Sequence, residues 1–107
     1  MENVLRRTKK NDTIFAINDC VIDLAKRIVL KDGKEVVLTL QEFNLLEALV
    51  LNRNFALSRE KLLQLAWGYD YMGDSRTVDV HVQKLRKKLD LQKEIVTVFK
   101  YGYRLEV

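Results

Sequence analysis

The sequence predicts an α+β domain in which a four-stranded antiparallel meander leads into three helices and a closing two-stranded hairpin. Three observations carry this. Short apolar runs broken by turn pairs fill residues 14–38, apolar residues then recur at helical spacing between Leu40 and Leu89, and two strand-like runs flank Lys100-Tyr101-Gly102. With 107 residues, 48% of them hydrophobic and 32% charged, the chain has room for one core and is too apolar for a disordered tail.

Residues 1–11 hold Arg6, Arg7, Lys9 and Lys10 against Glu2 without a sustained period and read as a basic linker or arm, leaving 12–107 as the folded domain. Residues 14–17 and 20–24 are strand-like on either side of Asn18-Asp19. Residues 27–31 and 34–38 flank Asp32-Gly33, a pair that accepts the positive φ both positions of a tight hairpin turn require.

At Thr39 the period changes. Thr39-Leu40-Gln41-Glu42 fits a capping box, the threonine oxygen and the glutamate each satisfying a helix-end donor. Leu40, Phe43, Leu46, Leu49 and Val50 follow at helical spacing, and Leu45, Ala48 and Leu51 widen the stripe, which predicts a helix to about Leu51 buried on most sides. Ser58 suits the N-cap of a second helix that contains Leu62, Leu63, Leu65 and Ala66 and ends at Trp67-Gly68. Residues 69–74 form a loop, and Asp74 or Ser75 caps a third helix running to about Leu89. Two strands, 95–99 and 102–107, complete the chain.

The charge is concentrated. The net charge is +4, and residues 76–88 alone carry Arg76, Lys84, Arg86, Lys87 and Lys88 against Asp79. A basic stripe on one element is the electrostatic footprint of a polyanion binder, or else a solvated helix face. The facing separates the two. Val78, Val82, Leu85 and Leu89 share one side of the third helix, and Arg76, Thr77, Val80, Gln83, Lys84 and Lys87 the other. Lysine can donate to guanine, glutamine to adenine, and a valine methyl can pack on a thymine methyl, so this side suits a DNA major groove.

Other classes are excluded or disfavoured. With Cys20 and His81 as the single cysteine and histidine, a protein-built zinc site is not expected, nor any other cofactor. Cys20 cannot form an internal disulfide and reads as a small buried hydrophobe. No paired carboxylates in an evident pocket, Gly-rich phosphate loop or nucleophile–base pattern points to an enzyme. RNA binding would favour stacking aromatics on a sheet, whereas the tyrosines gather in a loop and a turn. No apolar run reaches membrane-spanning length and no signal-peptide h-region follows the amino terminus, so a soluble cytoplasmic protein is expected.

Thr39-Leu40-Gln41-Glu42-Phe43-Asn44-Leu45-Leu46, Ser58-Arg59-Glu60, Leu62-Leu63, Trp67-Gly68, Arg76-Thr77-Val78-Asp79-Val80-His81-Val82 and Gly102-Tyr103-Arg104 together resemble the OmpR/PhoB-type winged-helix effector domain of bacterial two-component response regulators, over about residues 14–107. The resemblance implies a winged helix-turn-helix with an N-terminal four-stranded sheet, three helices and a C-terminal β-hairpin wing. It implies a transcriptional regulator that binds promoter DNA, monomeric alone and paired head to tail on direct repeats. Residues 3–10 resemble the linker that follows a receiver domain, so a receiver and a sensor kinase are the implied partners of the full-length protein. By position, Thr77, Val80, Gln83 and Lys84 look like base-reading residues. Arg59, Trp67, Arg76, His81, Arg86, Lys87, Thr97 and Lys100 look like backbone contacts, and Tyr69, Asp70, Tyr71 and Met72 fall where some members touch RNA polymerase. Gln83 and Lys84 replace two arginines common in the family, and Phe99 stands where several members place a minor-groove arginine.

Plainer roles compete with several of these. Trp67 can close the core, His81 can be a packing residue, Asp79 can offset the helix dipole, and Arg86 and Lys88 can be solubility charges. In the wing, strand alternation places Phe99 inward or against the third helix and leaves Lys100 for a phosphate or minor groove. The competing function is a winged helix used for protein contact without specific DNA binding.

Overall fold

The computed structural model describes residues 13–107, which divide into two units at Val37 and Leu38. The basic arm expected at 1–11 lies outside the described residues.

The first unit is an antiparallel meander of β1 (Ile14–Ile17), β2 (Cys20–Asp23), β3 (Ile28–Lys31) and β4 (Lys34–Val36), paired in that order. Phe15, Ile22, Val29 and Val36 stand opposite one another in a single cross-strand row. On that face Ile17, Cys20, Ile22 and Val29 are buried. Asp32 and Gly33 both take positive φ, 53° and 79°, as the hairpin signal requires. β2 stops one residue earlier than expected because Asp23 Oδ1 accepts from the Ala25 and Lys26 amides, which turns the chain out of the ladder. β3 likewise starts at Ile28, after Arg27 with φ 58°, and β4 ends at Val36.

The second unit holds α1 (Leu40–Leu51), β5 (Leu57–Ser58), α2 (Arg59–Trp67), α3 (Arg76–Leu89), β6 (Ile95–Val98) and β7 (Gly102–Leu105). The capping box forms: Thr39 Oγ1 accepts from the Glu42 amide at 3.2 Å, and the Thr39 amide donates to Glu42 Oε1 at 2.9 Å. Ser58 caps α2, its Oγ accepting from the Lys61 amide at 3.0 Å. The core joins Phe43, Leu45, Leu46 and Leu49 of α1 to Leu62 and Ala66 of α2 and to Val78, Val82, Leu85 and Leu89 of α3. The apolar stripe of α1 is narrower than its sequence suggests, since Leu40 and Leu51 at its two ends are exposed.

The hairpin is the outer part of a three-stranded sheet in the order β5-β7-β6. β5 has no counterpart in the sequence pattern, since two residues are too short to show a period. Gly102 shows why the pairing is close, because a Cβ there would lie 1.9 Å from the Leu57 carbonyl oxygen. β6 and β7 also end earlier than expected, at Val98 and Leu105.

Candidate nucleic-acid interface

α3 owes its start to Asp74. Ser75 has helical backbone angles and makes no side-chain cap, whereas Asp74 Oδ1 accepts from the Arg76 amide at 2.9 Å and Oδ2 from Arg76 Nε at 2.8 Å. At the other end Asp90 adopts φ 55°, and Arg86, Lys87 and Lys88 sit in the last turn, where cations complement the helix dipole.

Val78, Val82, Leu85 and Leu89 are buried, which fixes the opposite side outward. Arg76, Val80, Gln83, Lys84 and Lys87 are exposed there, with Thr77 half-buried beside them. Among the described residues no other side chain engages Gln83, Lys84 or Lys87. Val80 stands among them as an apolar surface.

Two groups of residues buttress this face. On one flank, His81 Nδ1 lies 2.8 Å from the Thr77 carbonyl oxygen, so that nitrogen carries the proton. The imidazole meets half-buried Trp67 edge-on, 4.9 Å between centroids, and Trp67 also stands 6.3 Å from Tyr71. Trp67 is therefore a bracket between α3 and the loop rather than a sealed core residue. The loop itself presents Tyr69, Asp70, Tyr71 and Met72 to solvent.

On the other flank α3 meets the hairpin. Arg86 Nε donates to the Ile95 carbonyl at 3.0 Å, and its Nη2 donates to the same oxygen and to Thr97 Oγ1. Asp79 Oδ1 accepts from Arg59 Nε at 2.9 Å and from the Tyr103 hydroxyl at 2.6 Å. Burial, and then the bond to this carboxylate, push the Tyr103 phenol above its ordinary range, while the same carboxylate raises Arg59. Asp79 and Arg86 thus tie the hairpin to α3, a role that neither a dipole nor a solubility reading contained. Lys88 is likewise more than a surface charge, since its Nζ lies 2.7 Å from buried Glu42 Oε1.

The wing tip departs from expectation. Phe99 is 81% exposed, neither inward nor against α3. β6 ends at Val98, the Tyr101 amide returns to the Val98 carbonyl at 2.9 Å, and Lys100 takes φ 59°. Strand alternation has stopped by Phe99, and the turn swings the Lys100 ammonium back over its ring, 5.4 Å from the centroid. Arg104, on the return strand, is paired with Glu106.

Of the residues expected from the sequence to face DNA bases, Thr77, Val80, Gln83 and Lys84 lie together along α3, with Arg76 and Lys87 at its two ends. Arg59, Arg86 and Thr97 gather where α2, α3 and β6 meet, Trp67 and His81 form the opposite flank, and Lys100 lies at the wing tip. No three His, Cys, Asp or Glu side chains converge as a metal-binding group among the described residues, and no helix there is long and apolar enough to cross a membrane.

In sequence and in fold the chain is similar to known proteins. The family described as transcriptional regulatory protein, C terminal, matches residues 33–105. The sensory transduction protein RegX3 of Mycolicibacterium smegmatis is 38% identical over 113 residues, covering 96% of this chain and 50% of that protein. The transcriptional regulatory protein ResD of Bacillus subtilis is 45% identical over 103 residues, covering 92% and 42%. The chain spans about half the length of such curated relatives. Among solved structures, the Klebsiella pneumoniae RstA DNA-binding domain in complex with the RstA box is 32% identical, with a TM-score of 0.73, covering 87% of this chain and 96% of that one. The Thermotoga maritima response regulator DrrB, an OmpR/PhoB homolog, is 27% identical, with a TM-score of 0.81, covering 99% and 52%. The chain belongs to the family of C-terminal domains of transcriptional regulatory proteins, in its OmpR/PhoB-type winged-helix form.

Proposed function

We propose that this chain is the effector domain of a two-component response regulator and binds promoter DNA sequence-specifically, with α3 in the major groove and the wing near the adjacent minor groove. The observation that carries the reading is the outward side of α3: unengaged Gln83 and Lys84 beside Val80, on a helix anchored by four buried residues. In this reading Thr77, Val80, Gln83 and Lys84 read base edges. Arg59, Trp67, Arg76, His81, Arg86, Lys87, Thr97 and Lys100 set the docking register on the sugar–phosphate backbone. Arg86 and Thr97 also hold each other, so their contribution is partly to keep the wing beside α3.

The activity is regulatory rather than enzymatic, and the protein acts in the cytoplasm as a monomer that pairs head to tail on direct repeats. The exposed loop of Tyr69, Asp70, Tyr71 and Met72 offers RNA polymerase a surface, and a receiver domain with its sensor kinase completes the signalling path. Selection of bound duplexes from a random pool, followed by titration of the recovered sequence against salt, tests the reading. A recovered consensus with a steep salt slope is expected. An unenriched pool, with salt-insensitive capture of protein through the 69–74 loop, would favour a protein-contact module.

A further inference from the structure

Two guanidiniums flank the buried Tyr103 ring, and one of them has a counter-charge. Arg59 Cζ stands 5.7 Å and Arg86 Cζ 5.5 Å from the ring centroid. Arg86 is held by neutral acceptors, the Ile95 carbonyl and the Thr97 hydroxyl, and among the described residues no carboxylate forms an ion pair with it. Arg59 is held by Asp79, through the same Oδ1 that accepts from the Tyr103 hydroxyl. The Arg59 and Asp79 side chains are 28% and 35% exposed, and a pair this close to solvent adds little stability.

The position of that carboxylate is what needs a reason. Asp79 is the single acid in residues 76–88, next to Val80. On a helix of 3.6 residues per turn it lies about 40° from Gln83 and about 20° from Arg86, so it borders the strip between the outward side of α3 and the hairpin. Unpaired, a carboxylate there would repel every phosphate alike, whatever the sequence. Resting on the DNA-binding reading above, we propose that Asp79 is a specificity-determining residue. It neutralises and orients Arg59, so that Arg59 supports docking in register while adding little to sequence-independent attraction.

The physical basis is counterion release. Each phosphate neutralised by a free cation adds about 0.9 to the slope of log affinity against log salt, on any sequence. A guanidinium already paired with a carboxylate releases few counterions, yet its remaining N–H groups can donate once a phosphate arrives at the right place. Removing indiscriminate attraction while keeping an oriented donor widens the gap between specific and random binding.

The test compares the 107-residue chain with its Asp79→Asn variant on the duplex recovered from the random pool and on a scrambled duplex of the same composition. Asparagine keeps the shape and an acceptor for Tyr103 without the charge. Between roughly 50 and 200 mM salt the slope should steepen by about one unit, and affinity for the scrambled duplex should rise roughly three- to tenfold, more than for the recovered one. Adding Arg59→Gln should return the slope to the wild-type value, and Tyr103→Phe, which cuts the other bond to Oδ1 without changing a charge, should leave it alone. An unchanged slope in Asp79→Asn, or equal steepening in Tyr103→Phe, overturns the proposal. If Asp79→Asn does not fold, Asp79→Ser is read in the same way: a slope steeper by more than about half a unit supports compensation, and a smaller change overturns it. Wild-type protein with no salt-dependent affinity for either duplex overturns the DNA-binding reading itself, and that result is visible before any variant is made.

Discussion

Lys88 Nζ lies 2.7 Å from Glu42 Oε1 and so joins the last turn of α3 to the first turn of α1 through a carboxylate that is 1% exposed. Glu42 also accepts from the Thr39 amide, so one side chain caps α1 and anchors α3. Burial alone would raise the Glu42 carboxyl; the Lys88 ammonium and the Thr39 amide outweigh it and hold it below its ordinary value of 4.5.

Removing either partner should therefore destabilise the fold. For Lys88→Ala the expected loss at neutral pH is about 1–3 kcal/mol, less than for a fully buried pair because the ammonium end reaches solvent. The sign of the pH dependence follows. In the wild type the lowered carboxyl contributes stability above pH 4.5 that fades as pH falls through its folded value. Without Lys88, burial raises that carboxyl, so the cost of a buried charge disappears on acidification. The stability gap between wild type and Lys88→Ala, measured by urea unfolding, should narrow from pH 7 towards pH 4. A constant gap would mean that the pair is not what the mutation broke.

Gly102→Ala tests the closing of β5 onto β7. The added methyl would meet the Leu57 carbonyl at 1.9 Å, and that neighbour is backbone, which cannot swing aside. We expect a loss of about 1–3 kcal/mol in thermal unfolding from overpacking, or more if the short strand detaches. Unchanged melting would show that β5 is not held against the hairpin.

Much of this architecture is legible in the sequence, and the failures have physical causes. The Asp32-Gly33 hairpin, the capping box of α1, the Ser58 cap of α2 and the two sides of α3 are set by local chemistry, and each appears as expected. The Glu42–Lys88 and Asp79–Arg59–Tyr103 links join residues far apart in the chain, and no spacing rule announces them. The available signal is a charge at a position where the helical pattern wants an apolar residue, as at Glu42, three, four and seven residues before the buried Leu45, Leu46 and Leu49. β5 is too short for periodicity, and Phe99 escapes the strand pattern because β6, and with it the alternation of faces, ends one residue before it.

The wing tip gives a paired prediction. With its ring 81% exposed, Phe99→Ala should change stability by less than about 0.5 kcal/mol, as for ordinary surface substitutions, and not by the amount a buried ring would lose. Lys100→Ala should lower affinity on all duplexes and reduce the salt slope by about one unit, the mark of a phosphate contact. Melting curves and salt titrations separate the two residues. A strongly destabilised Phe99→Ala would mean that the ring packs in solution.

Lys84 carries the most direct test of base reading. It sits midway along the outward side of α3, one residue from Gln83 and four from Val80, and no other side chain among the described residues engages it. A lysine there can donate to the guanine acceptors of the major groove, a contact that discriminates between bases. Lys84→Ala should weaken binding to the recovered duplex by about 1–3 kcal/mol while changing random binding much less. It should also relax the consensus at one position when the selection is repeated with the variant. Its exposure means that folding is spared, so equal melting of wild type and variant is part of the expected result. Equal losses on specific and random duplexes would make Lys84 a phosphate contact and move base reading onto Thr77, Val80 and Gln83.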